Sequence, residues 1–110
     1  MAARRLIPCR IQRKRTKGWR MPRHTKYVGR GSPWGNPCNS GKDYAAWLRF
    51  PHEAPCVDTS DVRMAMRRHW ILTHVHELRG WNLACWCPLP KRGEPDLCHG
   101  AILLAISNSD

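Results

Sequence analysis

Three of the chain's six cysteines and one of its six histidines fall between Cys85 and His99. Thiolate sulfur and imidazole nitrogen are the donors that zinc takes in structural sites, and both groups also serve as nucleophiles or proton carriers. In Trp81-Asn82-Leu83-Ala84-Cys85-Trp86-Cys87 the composition predicts a short buried strand. Residues two apart on a strand share a face, so Cys85 and Cys87 project together with Trp86 packed behind them. Pro88 and Pro90 force a turn. Cys98-His99-Gly100 then stands near the opening of a helix, behind Pro95 and Asp96, both favoured in a first turn. A short connection keeps strand and helix adjacent, which brings three sulfurs and an imidazole to one corner.

Three chemistries compete for that corner. The first is a metal site of Cys85, Cys87, Cys98 and His99, with zinc as the ion. The second is a reactive thiol: Cys98 at a helix N-terminus, where the dipole lowers its pKa, with His99 as acid or base. The third is packing, since free cysteine behaves as a small buried hydrophobe. The spacing C-x-C…C-H is not a common zinc pattern, and the readings stay open on the residues alone. Cys9, Cys38 and Cys56 lie in loops or at a strand edge without evident partners. Of these, Cys38 is best placed to reach the corner. His69, His74 and His76 read as surface or core-edge residues of a long helix.

A second candidate region is Gly29-Arg30-Gly31-Ser32-Pro33-Trp34-Gly35-Asn36-Pro37. Glycine frees backbone amides to cradle a phosphate, and Arg30 adds charge. The string matches neither the Walker nor the dinucleotide fingerprint. Arg30, Gly31, Ser32, Trp34 and Asn36 are the expected ligand-binding residues. Trp34 serves equally as core packing, since tryptophan is usually buried.

The elements that must position these groups follow from periodicity and punctuation. Cys9 to Arg13 alternates weakly as a first strand, and Thr25 to Val28 is β-prone. Lys42 to Phe50 reads as a short amphipathic helix burying Tyr44, Trp47 and Leu48, broken by Pro51 to Pro55. A main helix starts near Ser60 and ends at Gly80, a natural residue for the position after a C-cap. Its apolar stripe is Val62, Met64, Met66, Trp70, Ile71, Val75 and Leu78. The last helix spans about Pro95 to Ser107. The order is β-β-α-α-β-α, an α/β (or α+β) single small domain with a short sheet and helices packed on it. Residues 1–9 are expected to be a flexible basic N-terminus, 10–107 the globular domain and 108–110 a tail.

A chain of 110 residues has room for one modest core. No apolar run approaches the length of a membrane span, and the basic N-terminus lacks an apolar signal core, so the expected location is the cytoplasm. There, six cysteines argue for metal or reactive thiols rather than disulfides. Residues 1–30 carry eleven of the nineteen Lys/Arg and no acid, while the other eight bases are balanced by eight acids. The whole net charge of +11 therefore sits in the first quarter of the chain. Such a block attracts polyanions, with Arg13, Lys14, Arg15, Lys17 and Arg20 as the expected nucleic-acid contacts.

The strings Ile11-Gln12-Arg13-Lys14-Arg15-Thr16-Lys17-Gly18-Trp19-Arg20-Met21-Pro22, Tyr27 to Pro37, Leu78-Arg79-Gly80, Cys85 to Pro90 and Cys98-His99-Gly100 resemble the domain-of-unknown-function family 4326. The resemblance runs from about residue 10 to 107 and implies a protein of phage, prophage or bacterial type. It brings no established activity. Compared with the family's usual pattern, Lys91 to Leu97 lengthen the gap between Cys-Trp-Cys and Cys-His. Cys38 replaces an apolar residue, and Ala101 stands where an acid is usual.

These observations lead to one expectation and two alternatives. The expected function is binding of a phosphate-bearing ligand, nucleic acid or nucleotide, by the basic arm and the Gly-Arg-Gly-Ser loop beside a Cys/His corner that takes zinc. The first alternative is an enzyme on nucleotides or nucleic acid using Cys98 and His99 or a bound metal. The second is an accessory factor that binds a host protein through its tryptophans, in a host cytoplasm if phage-encoded. The glycine-rich loop and the Cys/His corner both follow strands. They share a cleft only if those strands are parallel neighbours.

Overall fold

The structure, a computed structural model, describes residues 7–38, 40–51, 57, 58 and 60–109. Cys56 and the first six residues of the basic stretch lie outside the described residues. Three strands, β1 (Arg10–Gln12), β2 (Thr25–Tyr27) and β3 (Asn82–Cys85), join three helices, α1 (Gly41–Arg49), α2 (Val62–His74) and α3 (His99–Asn108), in the expected order. A 3-10 turn, Val75–Leu78, ends α2. The domain is mixed α/β. Its sheet runs β1-β3-β2 with β3 in the middle, and both pairings are parallel. Arg10 opposes Leu83 and Gln12 opposes Cys85, while Thr25 opposes Asn82 and Tyr27 opposes Ala84. Parallel strands need a return crossing, and two segments make one. Residues 13–24 carry the chain from the end of β1 to the start of β2, and residues 28–81 carry it from β2 to β3.

β3 reads Asn-Leu-Ala-Cys with its last three residues buried, as expected of a central parallel strand covered on both faces. Helix α3 lies against β3 and β1, and α1 and the 3-10 turn pack on α3. The core joins Val28 and Leu83 of the sheet region to Tyr44, Trp47 and Leu48 of α1, Ile71 and Leu78 near α2, and Leu103 of α3. The α1 face expected from the periodicity is the buried one. Ser40 caps α1 by accepting from the Asp43 amide, and Arg68 of α2 donates to the exposed carbonyls of Trp47 and Leu48 at its other end.

Two expectations change at the helix ends. Helix α3 begins at His99 rather than near Pro95, because Asp96 accepts from the Cys98 amide and Cys98 becomes the N-cap. Asp61 rather than Ser60 caps α2, accepting from the Arg63 amide. The stripe on α2 is also narrower than its sequence implies. Ile71 is buried, whereas Val62 and Met66 face outward, because α2 touches the core mainly through its second half. Gly80 ends the main helical segment with φ +81°, as its position predicts.

Candidate functional site

All three strands point their carboxyl ends the same way, so the segments after β1, β2 and β3 emerge at one edge. Residues after β2 and β3 line a common cleft of about 150 Å3 there. Gly29, Arg30 and Asn36 come from the glycine-rich loop, and Cys85, Trp86 and Cys87 from the end of β3. His99 of α3 and Cys38 complete it. The two regions singled out in the sequence thus meet, with the crevice beyond the strand ends as their meeting place.

The sulfurs of Cys85, Cys87 and Cys98 lie within 4.8 Å of one another. Two thiolates on a tetrahedral zinc stand about 3.8 Å apart, given Zn–S bonds near 2.3 Å, so this trio could hold a metal ion. Cys85 Sγ and Cys98 Sγ are 3.1 Å apart, and Cys98 Sγ is 3.6 Å from His99 Nδ1. On the far side of the imidazole, Nε2 is 2.8 Å from the Val28 carbonyl oxygen. A carbonyl only accepts, so Nε2 carries a proton, and Nδ1 is the nitrogen turned toward Cys98 Sγ; the 4.8 Å cluster itself holds the three sulfurs without His99. Tyr44 backs the imidazole, with ring centroids 5.3 Å apart, and donates its own hydroxyl to the Trp34 carbonyl.

Arg10 was no candidate in the sequence, yet it organises the corner. Buried at the start of β1, it donates from Nη1 to Cys85 Sγ at 3.1 Å and to the Cys87 carbonyl at 2.9 Å. Its Nη2 donates to the Pro88 carbonyl at 2.5 Å, and its Nε to the Asp96 carboxylate. Burial opposes the charge, but the Asp96 hydrogen bond and the neighbouring thiols hold the Arg10 pKa above its ordinary value. The only hint in the sequence was an arginine inside a strand whose neighbours must be covered. Nothing local pairs it with Asp96.

The thiols divide into a donor and an acceptor. Cys98 hydrogen-bonds to Cys85, and with the Cys87 amide and the Arg10 charge this outweighs burial and lowers the Cys85 pKa to about 5. Cys98 moves upward for the converse reasons, its proton held by Cys85 and its thiol buried. The Arg10 bond to Cys85 Sγ points the same way, toward Cys85 as the more acidic thiol.

The other sequence candidates take varied places. Arg30 is exposed at the cleft, and the backbone N–H groups of Gly29, Arg30 and Gly31 meet no acceptor among the described residues. Gly31 has φ +89°, a conformation that glycine adopts freely. Ser32 Oγ donates to the Gly29 carbonyl and closes the turn. Asn36 spans its own loop, accepting from the Cys38 amide and donating to the Ser40 carbonyl. Trp34 is buried against Trp70, with centroids 4.9 Å apart. Cys38 is disulfide-bonded and borders the cleft, while Cys9, Cys85, Cys87 and Cys98 are free thiols. Trp86 is not packed behind the cysteines but stands at the rim under the guanidiniums of Arg13 and Arg15. Lys14, Lys17 and Arg20 are exposed on the return segment. No helix is long and apolar enough to cross a membrane among the described residues.

No curated protein and no solved structure matches the chain. A family model does, over residues 11–109, from the strand after Arg10 through the whole of α3. That span takes in the arm, the glycine-rich loop and the Cys/His corner together, and the chain belongs to the domain-of-unknown-function family DUF4326.

Proposed function

We propose that this protein binds a phosphate-bearing ligand, nucleic acid or nucleotide, in the cleft at the carboxyl edge of its sheet, beside a zinc ion held by Cys85, Cys87, Cys98 and His99. The observation that carries the reading is the shared cleft, where Arg30 and Gly29 face Cys87 and His99. Amides at Gly29 to Gly31 that meet no acceptor among the described residues, next to an exposed arginine, suit a phosphate oxygen. The basic arm supplies the long-range attraction. Among the described residues, the ion pairs are Arg10–Asp96 and Arg63–Asp61, so no carboxylate neutralises Arg13, Lys14, Arg15, Lys17 or Arg20. Three sulfurs and one imidazole nitrogen form a donor set typical of tetrahedral zinc. The Val28 carbonyl that orients His99 is the kind of outer partner such ligands use.

The test has two parts. Protein purified without chelators is analysed for metal, and pyrophosphate and oligonucleotides are titrated into wild type and Arg30→Gln. Zinc near one equivalent and phosphate binding lost in the variant support the reading. A folded, metal-free protein that binds neither ligand rejects it.

One observation favours a second reading, catalysis on nucleotides or nucleic acid: a cysteine sulfur at the cleft, Cys85, that accepts a hydrogen bond from a buried guanidinium. Both thiols are buried, and the Arg10 guanidinium on its sulfur is what singles out Cys85 as the thiolate. Alkylation of Cys85 in metal-free protein, protected by pyrophosphate, would favour it. The burial of Trp34 and Trp47 in the core weighs against a docking face built from the tryptophans.

A further inference from the structure

We infer that the ligand of this cleft is single-stranded nucleic acid, and that Trp86 is the surface on which one of its bases stacks. The inference rests on the phosphate-binding reading above and names its ligand class. Trp86 lies between two cysteines of the corner, lines the cleft and keeps 38% of its surface exposed. A tryptophan with no task outside the core is usually covered, and this one is half-exposed beneath two cations. The guanidinium carbon of Arg13 is 4.7 Å from the Trp86 ring centroid and 4.7 Å from that of Tyr27. That of Arg15 is 4.8 Å from the Trp86 centroid. Arg13 is thus held between two rings, and its Nε is buried without a hydrogen-bond partner among the described residues.

An indole flanked by guanidiniums at the mouth of a cleft offers what an unpaired nucleotide presents: a π-face for the base and positive charge for its phosphates. Arg15 is exposed and its long side chain can leave the indole for a phosphate when a base takes its place. The choice of strand follows from access. In a duplex both faces of each base are covered by neighbouring pairs, so only an unpaired base can lie on an indole. The choice of a polymer over a mononucleotide follows from the arm. Lys14, Arg15, Lys17, Arg20 and Arg23 are exposed, continue away from Trp86 along the return segment, and have no acidic partner among the described residues. One phosphate group cannot neutralise them.

Fluorescence anisotropy with labelled oligo(dT) and oligo(U) of about 12 nucleotides, a length within the usual site sizes, tests the inference. Trp86→Ala should weaken binding about 5- to 150-fold, the range for loss of one base–aromatic stack, without changing the salt slope, since no charge is removed. Trp86→Phe should recover most of the loss. Trp86→Leu keeps apolar cover without a π-face and should bind as poorly as the alanine variant, which covers the case in which Trp86→Ala fails to fold. A duplex of the same length should bind more weakly than either strand. Unchanged binding in a folded Trp86→Leu protein, or a duplex bound as tightly as the single strand, overturns the inference. Pyrophosphate binding that depends on Arg30, alongside oligonucleotide binding indifferent to Trp86, removes the stacking and leaves the phosphate site standing. Binding of neither ligand removes both.

Discussion

The Nε2 proton of His99 is committed to the carbonyl of Val28, 2.8 Å away and 71 residues earlier in the chain. This bond ties the first residue of α3 to the end of β2 and fixes which imidazole nitrogen faces the sulfurs. If the proposed Cys85, Cys87, Cys98 and His99 set holds zinc, metal analysis by mass spectrometry of wild type should give about one equivalent. Cys87→Ser, at an exposed residue, should weaken retention by at least the ~10–100-fold that loss of an outer partner costs. A competition assay with a colorimetric chelator reads the difference. His99→Ala should behave likewise.

Arg10 is the most consequential single side chain outside the hydrophobic core. It is 3% exposed at its side chain, and its removal strands Asp96, Cys85 and two carbonyls. Arg10→Met is expected to lower stability by about 3–5 kcal/mol, the usual result of breaking a buried pair from one side. Asp96→Asn should cost less, because Asp96 is 22% exposed and its replacement still accepts a hydrogen bond. Urea unfolding of both variants measures the order.

The thiol pair gives stability a sign with pH once metal is stripped. The Cys85 pKa is lowered in the fold from 9.0 to about 5. Its contribution is therefore full above the unfolded value, falls as pH drops toward 5 and is gone below it. Cys98 moves the other way, so stability falls again once pH passes the ordinary thiol range. The urea midpoint of chelator-treated protein should rise from pH 5 to pH 9, and Cys85→Ser should flatten the rise. A midpoint that falls across this interval would contradict the assignment of the thiolate.

Two glycines should respond differently to the same substitution. A Cβ on Gly41 would stand 2.1 Å from the Leu97 carbonyl oxygen, to which the Gly41 amide donates at 3.0 Å. Gly41→Ala must push back the backbone just before Cys98, at a cost of about 2–3 kcal/mol. Gly80 has nothing within 4 Å of its Cβ position but has φ +81°. Gly80→Ala should cost only the conformational term of about 1–2 kcal/mol. Thermal melts rank them, and only Gly41→Ala should also loosen metal.

The arm should act through charge alone. Replacing Arg13, Lys14, Arg15 and Lys17 with Gln is expected to reduce the slope of log K against log salt by up to about 3 for single strands. Circular dichroism should show the fold retained. Equal slopes for wild type and variant would remove the arm from the interface.

Much of this architecture is legible in the sequence where local chemistry decides it. Gly80, the apolar face of α1 and the buried Leu-Ala-Cys of β3 follow from backbone preference and periodicity. So does the meeting of the two loops, once the strands are parallel. What escaped is long-range. Arg10 looked like one more base in a basic stretch, because its acceptors lie 75 to 86 residues away. Trp86 looked like core because its covering groups, Arg13 and Arg15, come from the other end of the chain. Val62 and Met66 looked like a core stripe because periodicity names a face without saying how far along the helix the core extends.

The guanidinium of Arg10 grips the chain at Cys87 and Pro88 and again at Asp96, so the segment between hangs as an eyelet closed at its base by one side chain. Leu89 to Pro95 are exposed, and the Leu89 amide donates to Gln12 of β1. With its base closed in this way, residues added between Leu89 and Pro95 would leave the Arg10 bonds at both ends in place. The same property makes the eyelet the place to graft a reporter peptide, where it would sit within reach of the cleft and leave its walls unmoved.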